Sequence, residues 1–231
     1  MGIQNTNRKG FIDMNMNSYI CGDAFEYLPK MDDKQFDLIF TSVPDLSEIN
    51  KNKNSIEHYE QSMNTFLDQA ERLIKIKGFV ILSQTDRRIK GTIYSKHMMF
   101  INKMLERGFI LKDHKILIKD SVDKVDLFKL TYSHVLIFTK KGKLNINKRK
   151  GTYLKDVWVY PYPKGVCFSQ DYSDFMVQTF SKPGDFVLDP FAGRGTVIKS
   201  CVELKRNFVG IEYDEKIYDK KYVFDMTGGE S

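Results

Sequence analysis

The sequence predicts an open α/β sheet, doubly wound and mostly parallel, with about seven strands and helices on both faces. Three observations carry this. First, Ser181–Thr196, "SKPGDFVLDPFAGRGT", runs from the Pro183-Gly184 turn signal through the apolar stretch Phe186–Leu188 to Asp189. A loop with Gly193 and Gly195 then leads into a helical pattern over Thr196–Leu204. Strand, tight turn and helix start are the parts of a nucleotide-type site, where glycines let a ligand approach the backbone. Second, the apolar run "NFVGIEYD" ends at Glu212, 23 residues after Asp189. That is the spacing of a carboxylate that grips ribose hydroxyls beside a Gly-rich loop. Third, short apolar runs alternate with helical patterns throughout the upstream chain. The loop lacks a third glycine and carries Pro190 after the acid. A nucleoside cofactor without a pyrophosphate therefore fits better than a dinucleotide.

Taken in order, residues 1–17 are polar and Asn-rich and read as a flexible tail. Tyr19–Cys21 is a strand candidate, and Asp23 follows where it gives way to a helix. Asp23 is either the cap of that helix or a cofactor ligand. Asp37–Phe40 is the next strand, and it delivers "TSVPD", where Pro44 stops it. Leu46–Ser55 is charged and reads as a mobile loop. Ile56–Ile76 has a helical pattern with Tyr59, Met63, Phe66, Leu67, Ala70, Leu73 and Ile74 on one face, ended by Gly78. "FVILSQ" is a buried strand. "TDRRIKGTIY" offers Arg87, Arg88 and Lys90 either to backbone phosphates or to solvent. Ser95–Arg107 is helical, with His97 as a core or cap residue. The strands "KILIKD" and "TYSHVLIFTK" follow, with His114 and His134. No pair of histidines shows ligand spacing with a cysteine, so no metal is expected. Lys140–Lys155 is the densest basic stretch, either tracking a phosphate backbone or forming an exposed loop. Trp158, Tyr160 and Tyr162 either stack on a base or lock a Pro-rich strand. The helix from Asp171 turns Phe175, Met176 and Phe180 inward.

The 231 residues suit one medium domain with a substantial core. A formal charge of +6 permits a polyanionic partner without demanding one. Cys21, Cys167 and Cys201 are scattered and suit a reducing compartment. Neither a signal peptide nor a long apolar span stands in the sequence. The expectation is a soluble intracellular protein, cytoplasmic or nucleoid-associated, with no membrane partner.

"DPFAGRGT" together with "RNFVGIEYDEKIYDKK" resembles the C-terminal part of the N4-cytosine and N6-adenine DNA methyltransferases, with Arg194 where that family usually has serine. The resemblance runs from Tyr19 to Lys221. It implies S-adenosyl-L-methionine as cofactor and one Rossmann-like methyltransferase domain over 18–231, with a small basic insertion near 140–157. It also implies the circularly permuted, β-class order, in which the Gly-rich loop comes last. Asp189, Pro190, Phe191, Gly193, Gly195 and Thr196 would line the cofactor. Glu212 would take its ribose, and Asp23 would lie near the adenine amino group. Phe168 would lie against the cofactor, and Ser169 would bond its carboxylate. "Cys167-Phe168-Ser169" stands where the family has "H-x-A-x-F-P". The family's acceptor motif is Asp, Asn or Ser, two prolines and an aromatic. Here Ser42 fills the acceptor position, Val43 replaces the first proline, Pro44 keeps the second, and Asp45 replaces the stacking aromatic. Asp45 is left open as base, binder or bystander.

The implied activity is methyl transfer to an exocyclic amino group in DNA, adenine N6 or cytosine N4. RNA, a small-molecule acceptor and a non-catalytic nucleic-acid-binding subunit are the competing readings. A homodimer or a partner subunit is left open.

Overall fold

The computed structural model describes residues 17–49, 55–119, 130–140, 155–160 and 168–219. In chain order these form β1 (Ser18–Cys21), α1 (Ala24–Tyr27), a 3-10 turn (Leu28–Lys30), β2 (Phe36–Ser42), α2 (Leu46–Ile49), α3 (Ile56–Leu73) and β3 (Ile74–Gln84). There follow β4 (Arg87–Ile89), β5 (Thr92–Tyr94), α4 (Lys96–Glu106), β6 (Ile110–Lys119), β7 (Tyr132–Thr139) and β8 (Val157–Tyr160). The chain continues with α5 (Gln170–Phe180), β9 (Phe186–Asp189), α6 (Thr196–Glu203) and β10 (Asn207–Glu212).

One sheet runs in the order β1-β10-β9-β2-β3-β7-β6-β8. β1, β10, β9, β2 and β3 are mutually parallel, β7 is antiparallel to both neighbours, and β8 is parallel to β6. Alternation along the strands feeds two cores, because the sheet is covered on both faces. Leu38, Phe40, Phe79 and Ile81 pack with Tyr172, Met176 and Val177 of α5. Ile39, Val80 and Leu82 pack with Tyr59, Phe66 and Leu67 of α3. β2 precedes β9 in the chain although they are neighbours in the sheet, which is the permuted order expected from the sequence.

Three expectations are corrected. The sheet has eight strands among the described residues, because β8 adds an edge to β6. Trp158 anchors it: its ring is buried and lies 5.5 Å from Tyr172 and 5.6 Å from Phe175, so it locks the strand and is not available to a base. Helix α3 stops at Leu73, and Gly78 lies inside β3. Ile74 pairs with Phe36 before a register shift between Phe36 and Leu38. A Cβ at Gly78 would stand 2.7 Å from the Asp37 carbonyl, so the glycine serves a close strand approach and not a helix end. Finally, Leu46–Ile49 is a helical turn and not loop. The tail 1–16, the segment 50–54 and most of the basic stretch (141–154), with Lys148, Arg149 and Lys150, lie outside the described residues, as do Tyr162 and Cys167.

Candidate active site

Five parallel strands put their carboxyl ends on one edge, at Cys21, Glu212, Asp189, Ser42 and Gln84. β9 and β2 are paired side by side, yet α6 leads from β9 to one side of the sheet and α3 leads from β2 to the other. That divergence makes the crevice where open α/β sheets hold ligands. Residues expected from the sequence to share a site are thereby brought together. Cys21 is in register with Glu212, and the Gly22 N–H donates to the Glu212 carbonyl at 2.8 Å, so Asp23 lies beside Glu212. A groove lined by Lys34, Lys75, Lys77 and Lys182 lies at the opposite, amino edge, away from these residues.

The Gly-rich loop is clamped from both sides. Gly193 and Gly195 have φ of 57° and 85°, which a side-chain-bearing residue adopts only with strain. The Gly193 N–H donates to Glu212 Oε2 at 2.8 Å, the Tyr19 hydroxyl donates to the Gly193 carbonyl, and the Ala192 N–H donates to the Ile211 carbonyl at 2.8 Å. Gly195 caps α6, whose first residue, Thr196, is buried. Glu212 Oε1 accepts from the Asp214 N–H at 2.7 Å. Each carboxylate oxygen has a second lone pair, so Glu212 can brace the loop and still accept from hydroxyls. Burial pushes its pKa up, against the pull of the two backbone N–H groups.

The remaining cofactor candidates have local tasks as well. Asp23 Oδ1 caps α1 by accepting the Phe25 N–H at 2.8 Å. Ser169 Oγ caps α5 by accepting the Tyr172 N–H at 3.3 Å. Phe168 is buried and stacks on Phe40 at 4.9 Å, which ties the start of α5 to β2. Pro190 is buried, and Phe191 packs edge-on against Phe66 at 5.1 Å.

Asp189 ends β9 fully buried, its Oδ1 accepting the Phe191 N–H at 3.3 Å. Burial raises its pKa to about 7, against the opposing hydrogen bonds from Thr41 and Phe191. The folded state therefore holds a proton that the unfolded chain releases near pH 4. This stabilisation is complete below about pH 4, declines as pH rises towards 7 and is gone above it. Asp189→Asn is expected to flatten that part of the stability profile. Urea unfolding at stepped pH checks it, and an unchanged slope between pH 4 and 7 would count against a protonated Asp189.

The acceptor loop is held from four directions. Ser42 is paired with Ser83, and the Val43 N–H donates to the Ser83 carbonyl at 2.9 Å while the Val43 side chain is buried. The buried Tyr59 hydroxyl donates to the Pro44 carbonyl at 3.2 Å. Asp45 Oδ1 accepts from the Leu46 N–H at 2.8 Å and from Lys96 Nζ at 2.9 Å, and Oδ2 accepts from Arg87. Glu48 Oε2 reaches back to the Asp45 N–H at 2.6 Å, as in a capping box. Burial alone would raise the Asp45 pKa, but Lys96, the Leu46 N–H and Arg87 outweigh it and hold the carboxyl below its usual range.

An acid kept ionised by two cations is a weak base, which weighs against the base among the roles left open for Asp45. Arg87, left open between phosphates and solvent, is engaged by Asp45 and by Ser47 at 3.1 Å. Arg88 donates to the Gly91 carbonyl at 2.9 Å, and Lys90 sits at the turn of the β4–β5 hairpin. Tyr59 and Lys96 were not singled out from the sequence as site residues. Tyr59 was visible only as one apolar position of a helix face. Lys96, with 3% of its side chain exposed, carried no signal of burial.

These features define a class of protein, an α/β sheet whose carboxyl edge carries a glycine loop, the carboxylates Asp23, Asp189 and Glu212, and the polar loop Ser42–Asp45. The profile of the DNA methylase family, N6_N4_Mtase, matches residues 36–223, and the chain belongs to that family. It is an S-adenosylmethionine-dependent methyltransferase of DNA bases. Among curated relatives it is 44% identical over 196 residues to the type II methyltransferase M.MjaI of Methanocaldococcus jannaschii, covering 68% of this chain and 64% of that one. It is 22% identical over 230 residues to the type II methyltransferase M.HpaI of Haemophilus parainfluenzae, covering 85% and 70%. In fold it resembles the cytosine-N4-specific PvuII DNA methyltransferase, with a TM-score of 0.75 at 17% identity over 87% of this chain and 83% of that one. No described helix is long and apolar enough to cross a membrane.

Proposed function

We propose that this chain methylates an exocyclic amino group, adenine N6 or cytosine N4, of a base in DNA, with Ser42 Oγ and the Val43 carbonyl as the acceptors that orient the amino group. The supporting observation is the common edge, where the end of β2 lies beside the end of β9 and its glycine loop. The residues fit the cofactor: a Cβ at Gly193 would meet nothing within 4 Å, so the loop is open there, and Glu212 has acceptor capacity facing it. Glu212 would hold the ribose hydroxyls, Asp23 the adenine amino group, and Asp189 to Thr196 the wall between them. Phe168 and Ser169 would close the methionine end. When bound, S-adenosylmethionine supplies an already electrophilic methyl group. The chain's own work is then to desolvate and align the amino nitrogen, which accounts for a rigid loop and no strong base. Asp45, with Arg87 and Lys96, sets the position of that loop. A base in duplex DNA must leave the stack to reach it.

The test is transfer of labelled methyl groups from S-adenosylmethionine into duplex DNA, RNA and a metabolite pool, followed by nucleoside digestion. Label in N6-methyladenine or N4-methylcytosine from DNA is expected. Label in RNA alone would replace DNA as the substrate, and label in neither would support the scaffold reading. Sedimentation with and without duplex reads whether the working unit is one chain, a homodimer or an assembly with a second subunit. The domain is read as 18–231, with the basic segment near 140–157 as its backbone contact. Neutralising Lys148, Arg149 and Lys150 together should lower affinity for duplex and reduce the slope of log affinity against log salt by roughly 2–3. An unchanged slope would leave the segment as a solvated loop. Binding to polyanionic DNA is also the basis for proposing a nucleoid-associated location.

A further inference from the structure

Four titratable side chains from four separate places in the sequence meet beside the acceptor loop. Asp86 follows the end of β3, His97 is the second residue of α4, His134 lies in β7 opposite Gln84, and His114 lies in β6. His97 Nδ1 is 2.6 Å from Asp86 Oδ2, and His134 Nε2 is 3.5 Å from the same oxygen. The three ligand atoms lie within 4.8 Å of one another. His134 Nδ1 is 2.8 Å from His114 Nε2. Asp86 Oδ1 is occupied by the His97 N–H at 3.0 Å and Gln84 Nε2 at 3.3 Å, which aims Oδ2 at the two imidazoles. Asp86 and His134 have 5% and 7% of their side chains exposed, and His97 has 21%, so the cluster is buried with one side towards solvent.

The cluster is incompletely satisfied. His134 Nε2 is buried without a hydrogen-bond partner. If His134 donates its Nδ1 proton to His114, its Nε2 lone pair faces the Asp86 carboxylate, and two acceptors oppose each other. A cation between them removes that conflict. The arrangement matches a metal-ligating histidine whose other ring nitrogen is held by a neighbour that fixes its tautomer. A tetrahedral ion with bonds of about 2.05 Å sets its ligands about 3.3 Å apart. The two separations from Asp86 bracket that value; the His97 and His134 rings stack at 4.0 Å with 14° between their planes, so one ring has to turn for both nitrogens to point at a single ion.

We propose that Asp86 Oδ2, His97 Nδ1 and His134 Nε2 form a binding site for one divalent transition-metal ion of the zinc class, with His114 as the residue that orients His134. Two imidazoles and one carboxylate suit zinc, cobalt or nickel and not magnesium or calcium, which take oxygen ligands. The sequence places the consequence next door. Arg87 follows Asp86 and Lys96 precedes His97, and both cations hold Asp45. An ion bridging β3, α4 and β7 would therefore clasp the elements that carry these cations. Its role is structural: it tightens the frame of the acceptor loop and touches neither substrate nor cofactor.

The experiment uses the full chain without a histidine tag, stripped with a chelator and then titrated with Zn²⁺ by calorimetry and with Co²⁺ by visible absorption. One ion per chain is expected, with a rise in melting temperature that Mg²⁺ does not reproduce. His97→Ala is the decisive variant, because its side chain is the most exposed of the three ligands. It should weaken Zn²⁺ binding by about 10²-fold or more, and His114→Phe should weaken it by about 10- to 100-fold. Circular dichroism checks that each variant is folded. Failure of the wild-type chain to bind at one equivalent would overturn the site. So would undiminished affinity in folded His97→Ala, which would leave a hydrogen-bonded polar cluster only.

Discussion

Asp45→Asn is expected to reduce methyl transfer by roughly 10²-fold, the loss that follows from misplacing a reacting group by about 1 Å, and to leave S-adenosylmethionine affinity nearly unchanged. The substitution keeps the shape and one acceptor oxygen. It removes the charge that Lys96 and Arg87 face. Lys96 is buried, so its ammonium would lose a partner that it cannot replace with water. Asp45 itself is 40% exposed, which limits the loss of stability to about 1–2 kcal/mol. Because the folded carboxyl is held below its ordinary range, its contribution is present above about pH 4 and fades as pH falls through the folded value. The stability gap between wild type and variant should therefore close in acid. Lys96→Met separates the two roles of the acid. If Asp45 works by fixing the loop, Lys96→Met should also lower kcat, and the two effects should not add. If Asp45 acted as a base, Lys96→Met would raise its pKa and bring a new ionisation into the pH–rate profile. Wild-type turnover by Asp45→Asn on a confirmed substrate would remove the residue from the mechanism and leave Ser42 and the Val43 carbonyl.

Glu212→Ala should weaken S-adenosylmethionine binding by about 5- to 150-fold, or about 1–3 kcal/mol. Two losses contribute. One is the pair of acceptor oxygens proposed for the ribose. The other is the brace on the glycine loop, since Glu212 Oε2 holds the Gly193 N–H. Tyr19→Phe distinguishes them, because the Tyr19 hydroxyl restrains the same loop through the Gly193 carbonyl without offering a carboxylate. A large loss in Glu212→Ala with a small one in Tyr19→Phe would assign the effect to direct cofactor contact. Equal losses would assign it to the loop. Calorimetry with the cofactor and with its demethylated product reads both, and undiminished affinity in Glu212→Ala would end the ribose assignment.

The half of the site proposed for the cofactor was legible because its signals are local. A four-residue apolar strand, glycines at φ of 57° and 85°, and a carboxylate closing the next strand all lie within Phe186–Glu212. The acceptor loop was equally visible at Ser42–Asp45, since a strand ending at a proline announces itself. The extent of β3 was misread: Ile74-Lys75-Ile76-Lys77 alternates as a strand does, but Ile74 and Ile76 also continue the helical pattern before them, and pairing of Ile74 with Phe36 draws the segment into the sheet. β8 was likewise obscure, because four residues become a strand only when β6 offers them an edge.

The sequence by itself determined the class of protein, the order of its parts and the residues that could serve the chemistry. Only the tertiary structure decided what those residues are able to do. Asp45 was open as base, binder or bystander until the fold brought Arg87 and Lys96, 42 and 51 residues away, against it. His97 read as a core or cap residue and His134 as a strand residue until β3, α4 and β7 placed both beside Asp86. Backbone propensity and turn chemistry act between neighbours and are written into the chain. Charge pairing, burial and the ionisation states they impose act through space, and only folding sets those distances.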